Sequence, residues 1–77
     1  MSITTVDARR LLCPLPLLRA ESAMKTLPPG GILAIQATDP GLHRDLPAWC
    51  RVHGHQLLEI QQQGQELVGL VKKGPRR

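Results

Sequence analysis

Apolar and polar positions alternate in short stretches near both ends of the chain and recur at helical spacing in two segments between them. Residues 3–7 (Ile3-Thr4-Thr5-Val6-Asp7) are β-branched and set Ile3 and Thr5 against Thr4 and Val6, which predicts a first strand. Ala8 to Leu12 is a connection. From Pro14 to Leu27 the apolar residues Leu17, Ala20, Met24 and Leu27 return at helical intervals, with Arg19, Ser22, Lys25 and Thr26 on the other side. Glu21 and Lys25 stand in favourable i,i+4 register on this helix. Pro28-Pro29-Gly30-Gly31 stops it. Residues 32–38 form a mostly apolar run of strand length, as a central strand requires.

After the turn Asp39-Pro40-Gly41, Asp45 reads as the N-cap of a second helix with Pro47 in its first turn. Leu46, Trp49, Cys50 and His53 share one face, and Gly54 is the C-terminal stop. His55 to Gln62 predicts a third strand with Leu58 and Ile60 inward. A turn at Gln63-Gly64-Gln65 leads to a fourth over 67–72, so the last two strands make a hairpin. The order is β-α-β-α-β-β. Each strand-helix-strand crossover implies parallel pairing within the sheet, and the hairpin adds an antiparallel pair. The expected fold is an α/β two-layer sandwich, a four-stranded mixed sheet with two helices on one face.

Composition narrows the class. At 77 residues, 42% hydrophobic, the chain is expected to be one domain spanning 1–77, with 72–77 as a frayed basic tail. With no Phe or Tyr and a single Trp, the core must be aliphatic. The net charge of +4 invites a nucleic-acid reading. Four of the ten basic residues, however, are Lys72, Lys73, Arg76 and Arg77, and no basic stripe is interleaved with aromatics that could stack bases. The charge fits attraction of acidic protein partners better than direct nucleic-acid binding. Two widely separated cysteines form no disulfide framework and no zinc spacing, so a reduced, cytoplasmic protein is expected. No basic n-region with an apolar h-region opens the sequence, and no apolar run approaches a membrane span. No membrane partner is expected, and a monomer is.

The chemistry concentrates in Leu12-Cys13-Pro14-Leu15-Pro16-Leu17. Proline fixes its own φ and pushes the preceding residue into an extended conformation. Cys13 therefore belongs at a strand-to-helix junction. If Pro14 is the first helical residue, Cys13 is the N-cap. Pro16 then removes one capping N–H and leaves that of Leu15. Because Leu15 itself precedes a proline, the alternative is a helix that starts at Pro16, with Cys-Pro-Leu as a rigid lead-in. Either way Cys13 stands on a stiff backbone. The helix dipole, worth about 0.3–1 kcal/mol to a thiolate, predicts a moderately activated thiol that suits sulfur transfer. A buried, inert cysteine is the competing reading of Cys13.

No general base lies near Cys13 in sequence. A Cys-His hydrolase needs an oriented base and an oxyanion hole, which nothing here specifies. His53 and His55 read as a dipole partner at the helix end and a strand residue, and Cys50 as core. No metal site is expected from Cys13, Cys50 and the histidines.

Taken together these residues resemble the TusA/SirA-like sulfur-carrier family. Asp7 and Leu11 precede Cys13-Pro14-Leu15-Pro16, the family's Cys-Pro-x-Pro. Leu27-Pro28-Pro29-Gly30, Asp39-Pro40, Arg44-Asp45-Leu46-Pro47, Trp49-Cys50 and Gly54-His55 follow in order. The resemblance spans nearly the whole chain. It implies the same sandwich, and a sulfurtransferase that acts as a relay. Cys13 would accept sulfur as a transient persulfide, with no resident cofactor or metal. A cysteine desulfurase or rhodanese-like protein would be the donor and another sulfur-relay protein the acceptor, serving tRNA thiolation, cofactor sulfuration or sulfur oxidation. Pro14, Leu15 and Pro16 would scaffold the site, and Asp45 would cap the second helix. Two positions depart from the family pattern. Arg10 stands where a glycine is usual, so that a left-handed backbone there would be strained. Glu21 stands where a basic docking residue is common, with Arg19 or Lys25 as substitutes. A non-catalytic interaction module of the same fold, binding protein or RNA, is the alternative, and an intact Cys13 favours the carrier.

Overall fold

A computed structural model describes residues 3–75. The elements are β1 (Ile3–Ala8), α1 (Leu15–Met24), β2 (Ile32–Ala37), α2 (Leu42–His53), β3 (Gln56–Gln63) and β4 (Glu66–Lys72). They form a four-stranded mixed sheet in the order β1-β2-β4-β3. β1 pairs parallel with β2, and β4 pairs antiparallel with both β2 and β3.

Strand alternation decides which face is buried. Val6, Ile35 and Gly69 lie side by side across β1, β2 and β4, as do Ala8, Ala37 and Leu67. Leu33, Ile35, Ala37, Leu67 and Val71 are fully enclosed, and Pro16, Ala20, Met24, Leu42, Leu46, Trp49 and Cys50 close over them from the helices. α2 sits close to the sheet at Gly69, where an added Cβ would meet Leu46 Cδ2 at 2.5 Å. Glycine leaves that space, and Leu46 fills it.

Several sequence expectations change. β2 and β3 do not pair, because β4 lies between them. The crossover carries the chain past one strand position, and the hairpin then folds its second strand back into the gap. In β3 the inward residues are Leu57 and Ile60, whereas Leu58 is exposed. An irregularity in register between Leu57 and Glu59 breaks the alternation, as a bulge does. α1 ends at Met24, but turn hydrogen bonds from Thr26 and Leu27 carry the chain on until Leu27 is buried. The Nζ of Lys73 donates to the carbonyls of Met24 and Leu27, tying the end of β4 to the turn that follows α1.

That contact also corrects the expectation of a frayed tail from residue 72. Lys72 belongs to β4, Lys73 exchanges backbone hydrogen bonds with Gly30 and Gly31, and the amide of Gly74 donates to His55 Nδ1 at 3.0 Å. Arg76 and Arg77 lie outside the described residues. Glu21 contacts His53 Nε2 at 4.0 Å, and no ion pair joins it to Lys25 among the described residues. Gly54 ends α2 at φ 74°, as the stop signal requires. No helix among the described residues is long and apolar enough to cross a membrane.

Candidate functional site

The site lies where the β1–α1 loop meets the first turn of α2. Leu11 N–H donates to the Ala8 carbonyl at 3.3 Å, which closes a turn with Arg10 as its third residue. Arg10 adopts φ 68°, a left-handed conformation that suits glycine and strains a side-chain-bearing residue. Its backbone N–H donates to Thr38 Oγ1 at 2.9 Å, which ties the loop to the end of β2. The strain anticipated at Arg10 is therefore present, and the loop keeps its shape around it.

Cys13 is exposed and joined to Pro14 by a cis peptide. Pro14, not Cys13, occupies the N-cap of α1, and no side chain caps the helix. Leu15 is the first helical residue, on the outer face, and Pro16 the second, buried in the core. The Leu15 N–H donates to the Leu12 carbonyl at 2.9 Å, and Leu17 and Leu18 both donate to the Pro14 carbonyl. The two prolines have no N–H. The first turn of α1 thus has no free donor to offer a thiolate, and the expected dipole-activated capping cysteine is not what forms.

Two aspartates act on Cys13 instead. Asp39 accepts the Cys13 N–H on Oδ2 at 2.9 Å and the Gly41 N–H on Oδ1 at 3.0 Å. These two bonds, from Gly41 first and Cys13 second, hold its carboxyl below the ordinary carboxylate range. Asp45 accepts a hydrogen bond from Cys13 Sγ on Oδ2 at 3.2 Å. That bond, reinforced by desolvation and by the charges of Asp45 and Asp39, raises the thiol above its usual value. The moderately lowered thiol expected from the helix dipole is thus reversed in sign. The dipole effect is modest and falls off within a turn, whereas the carboxylate touches the sulfur.

Asp45 is also not the N-cap of α2. Gly41 holds that position, and Asp45 lies in the first turn, where its charge still suits the helix dipole. Because the helix starts early, Pro47 falls inside it. There its missing N–H leaves the carbonyl of His43 without the helical partner it would otherwise have. Asp39 organises the entry instead, with Leu42 N–H bonded to its carbonyl as well as Gly41 N–H to its side chain.

The remaining candidates separate from the site. Cys50 is buried, and desolvation pushes its thiol up to about 11, in keeping with a core residue. None of the three imidazoles is hydrogen-bonded to Cys13. His43 Nε2 meets Gln62 Oε1 at 2.8 Å, and His53 and His55 flank Trp49 with ring centroids 5.2 and 5.3 Å away. Sequence reasoning missed the contact of Asp45 with the thiol and the hold of Asp39 on the Cys13 amide. Both aspartates were visible beside Pro40 and Leu46. Their convergence on Cys13 depends on the two helix starts meeting at one end of the sheet, which no local spacing encodes.

A family model, Sulfurtransferase TusA, matches residues 4–73. The chain belongs to the TusA sulfurtransferase family. Among TusA-family relatives, YrkI of Bacillus subtilis, a candidate sulfur carrier protein, is 44% identical over 69 residues, covering 90% of this chain and 92% of its own. The sulfur carrier protein TusA of Pseudomonas fluorescens is 38% identical over 69 residues, covering 90% of this chain and 83% of its own. In structure, a SirA-like protein from Desulfitobacterium hafniense superposes with a TM-score of 0.79 at 23% identity, covering 95% of this chain and 99% of that one. This last likeness establishes the shared fold of the TusA-like chain.

Proposed function

We propose that this sulfur carrier accepts sulfane sulfur on Cys13 and relays it as a persulfide. The observation that supports this most is the contrast between the two thiols. Cys13 is exposed on a loop pinned at its own amide, and Cys50 is sealed in the core. A thiol that must meet the sulfur of another protein has to be reachable and fixed in direction.

The transfer balances without an external oxidant. Sγ attacks the terminal sulfur of a donor persulfide, and the new Sγ–S bond forms as the donor's S–S bond breaks. The electron pair of the broken bond stays on the donor sulfur, which takes up the proton that Cys13 gives away. One persulfide is consumed and one formed. Delivery is the same exchange in the other direction, toward an acceptor thiol. In this reading the protein is a relay with a transient cargo. Its donor is a cysteine desulfurase or a rhodanese-like protein, and its acceptor another sulfur-relay protein.

The surroundings of Cys13 favour a protein partner. Leu12, next to Cys13 in the chain, and Leu15 and Leu18, one turn apart at the start of α1, are 73%, 47% and 52% exposed. Exposed apolar side chains gathered at one place suit protein contact. The test is transfer of label. With radiolabelled cysteine and a cysteine desulfurase, label is expected on this chain, held through non-reducing electrophoresis and released by a thiol reductant. No label, or label that resists reduction, contradicts the reading.

A further inference from the structure

The surroundings of Cys13 Sγ are built for a protonated sulfur. Among the described residues its one hydrogen-bonding partner is an acceptor, Asp45 Oδ2 at 3.2 Å. No N–H of the first turn of α1 is free to face it, as shown above. The charged groups facing it from the neighbouring elements are Asp39 on the β2–α2 loop and Asp45 and Arg44 on α2. Arg44 reaches the other oxygen of Asp45 at 3.4 Å, but its side chain is 87% exposed and solvent screens it. Two carboxylates therefore outweigh one solvated guanidinium around the sulfur.

We propose that Asp45 is a positioning residue that holds the proton on the empty carrier, its Oδ2 accepting the Sγ–H bond until Sγ is joined to sulfane sulfur. The inference rests on Cys13 being the acceptor and deepens that reading. The empty carrier is a thiol aimed by Asp45, with little free thiolate to meet stray electrophiles or oxidants. On loading, the Sγ–H bond breaks as the new Sγ–S bond forms, and the departing donor sulfur takes up that proton. The loaded sulfur then has no proton to give, so the bond to Asp45 is lost, and an anionic persulfide beside this carboxylate is repelled. The same side chain thus steadies the empty state and disfavours the loaded one, which biases the relay toward delivery.

Alkylation of the full chain by iodoacetamide, followed on the Cys13 peptide by mass from neutral to alkaline pH, tests this. In Asp45→Asn the pH of half-maximal rate is expected to fall and the rate at neutral pH to rise severalfold. Asp45→Ser, also uncharged, shifts the same way, and Asp45→Glu restores the wild-type profile in part or whole. An unchanged or higher midpoint in both uncharged variants overturns the inference. The functional reading is judged separately by sulfur loading of the wild-type chain and of Cys13→Ser. Loading that persists without Cys13 removes that reading, whatever the alkylation profiles show.

Discussion

The side chain of Asp39 ties the backbone of Cys13 to the start of α2, with one carboxylate oxygen on the Cys13 N–H and the other on the Gly41 N–H. The sheet sets the two helix starts side by side, and this carboxylate locks them together. Asp39→Ala is expected to free the Cys13 amide. Amide hydrogen exchange at Cys13 should speed up while core amides of β4 stay protected. The pH dependence has a definite sign. The Asp39 carboxyl is lowered in the folded chain, so its contribution is present above the unfolded value of about 3.9 and is lost as pH falls through the folded one. The wild type should therefore lose more stability than Asp39→Asn on acidification below about pH 4.

Arg10 is in a conformation that glycine adopts without strain. The left-handed region costs a residue with a Cβ about 1–2 kcal/mol, and the added freedom of glycine in the unfolded chain takes part of that back. Arg10→Gly is expected to stabilise the protein by up to about 1 kcal/mol in urea unfolding, with an unchanged slope. A destabilised variant would mean that the Arg10 side chain supplies more than its backbone loses.

Much of this architecture was legible because local signals agree. Pro28-Pro29-Gly30 closes the segment that α1 begins, the spacing of Ala20 and Met24 marks the inner face of that helix, and Gly54 ends α2 where the pattern places it. The β4 insertion was not legible. A hairpin signal says that β3 and β4 pair, but not which of them turns toward β2. Leu57-Leu58 offers two apolar residues in succession, and only the bulge decides that Leu57 goes inward. At the site, the sequence marked Cys13 through its prolines. The acidic groups that set the state of its sulfur come from residues 26 and 32 positions away, and such contacts carry no periodic signal.

Gly69 and Leu46 form a lock between sheet and helix. A methyl group at 69 would press on a fully enclosed Leu46, and overpacking of this kind costs about 1–3 kcal/mol. Leu46→Ala alone should cost about 2–5 kcal/mol through the cavity it leaves. In the double variant the new methyl occupies part of that cavity. The two effects should therefore sum to clearly more than the measured loss, a coupling that a double-mutant cycle in urea reads directly. Additive losses would show that Gly69 is required for another reason.

His55 accepts the Gly74 N–H on Nδ1, which requires that nitrogen to be unprotonated. Burial first, then the charges of His53 and Lys73, push the imidazole below its ordinary value. A base lowered in the folded state gives stability that is present above the unfolded value of about 6.5 and lost as pH falls from there through the folded one. Stability is expected to decline over this mildly acidic window, and His55→Gln should flatten the decline. The imidazole resonances of His55 should titrate at lower pH than in the unfolded chain. A His55 that titrates higher would reverse the sign.

The most direct measurement is the intact mass of the full chain after incubation with thiosulfate and a rhodanese. The wild type should gain the mass of one sulfur atom and lose it again on reduction. Cys50→Ala should gain it too, while Cys13→Ser should stay at its unmodified mass. A wild-type chain that takes up no sulfur, or a Cys13→Ser chain that takes it up as readily as the wild type, would contradict the assignment of Cys13 as the sulfur-carrying residue.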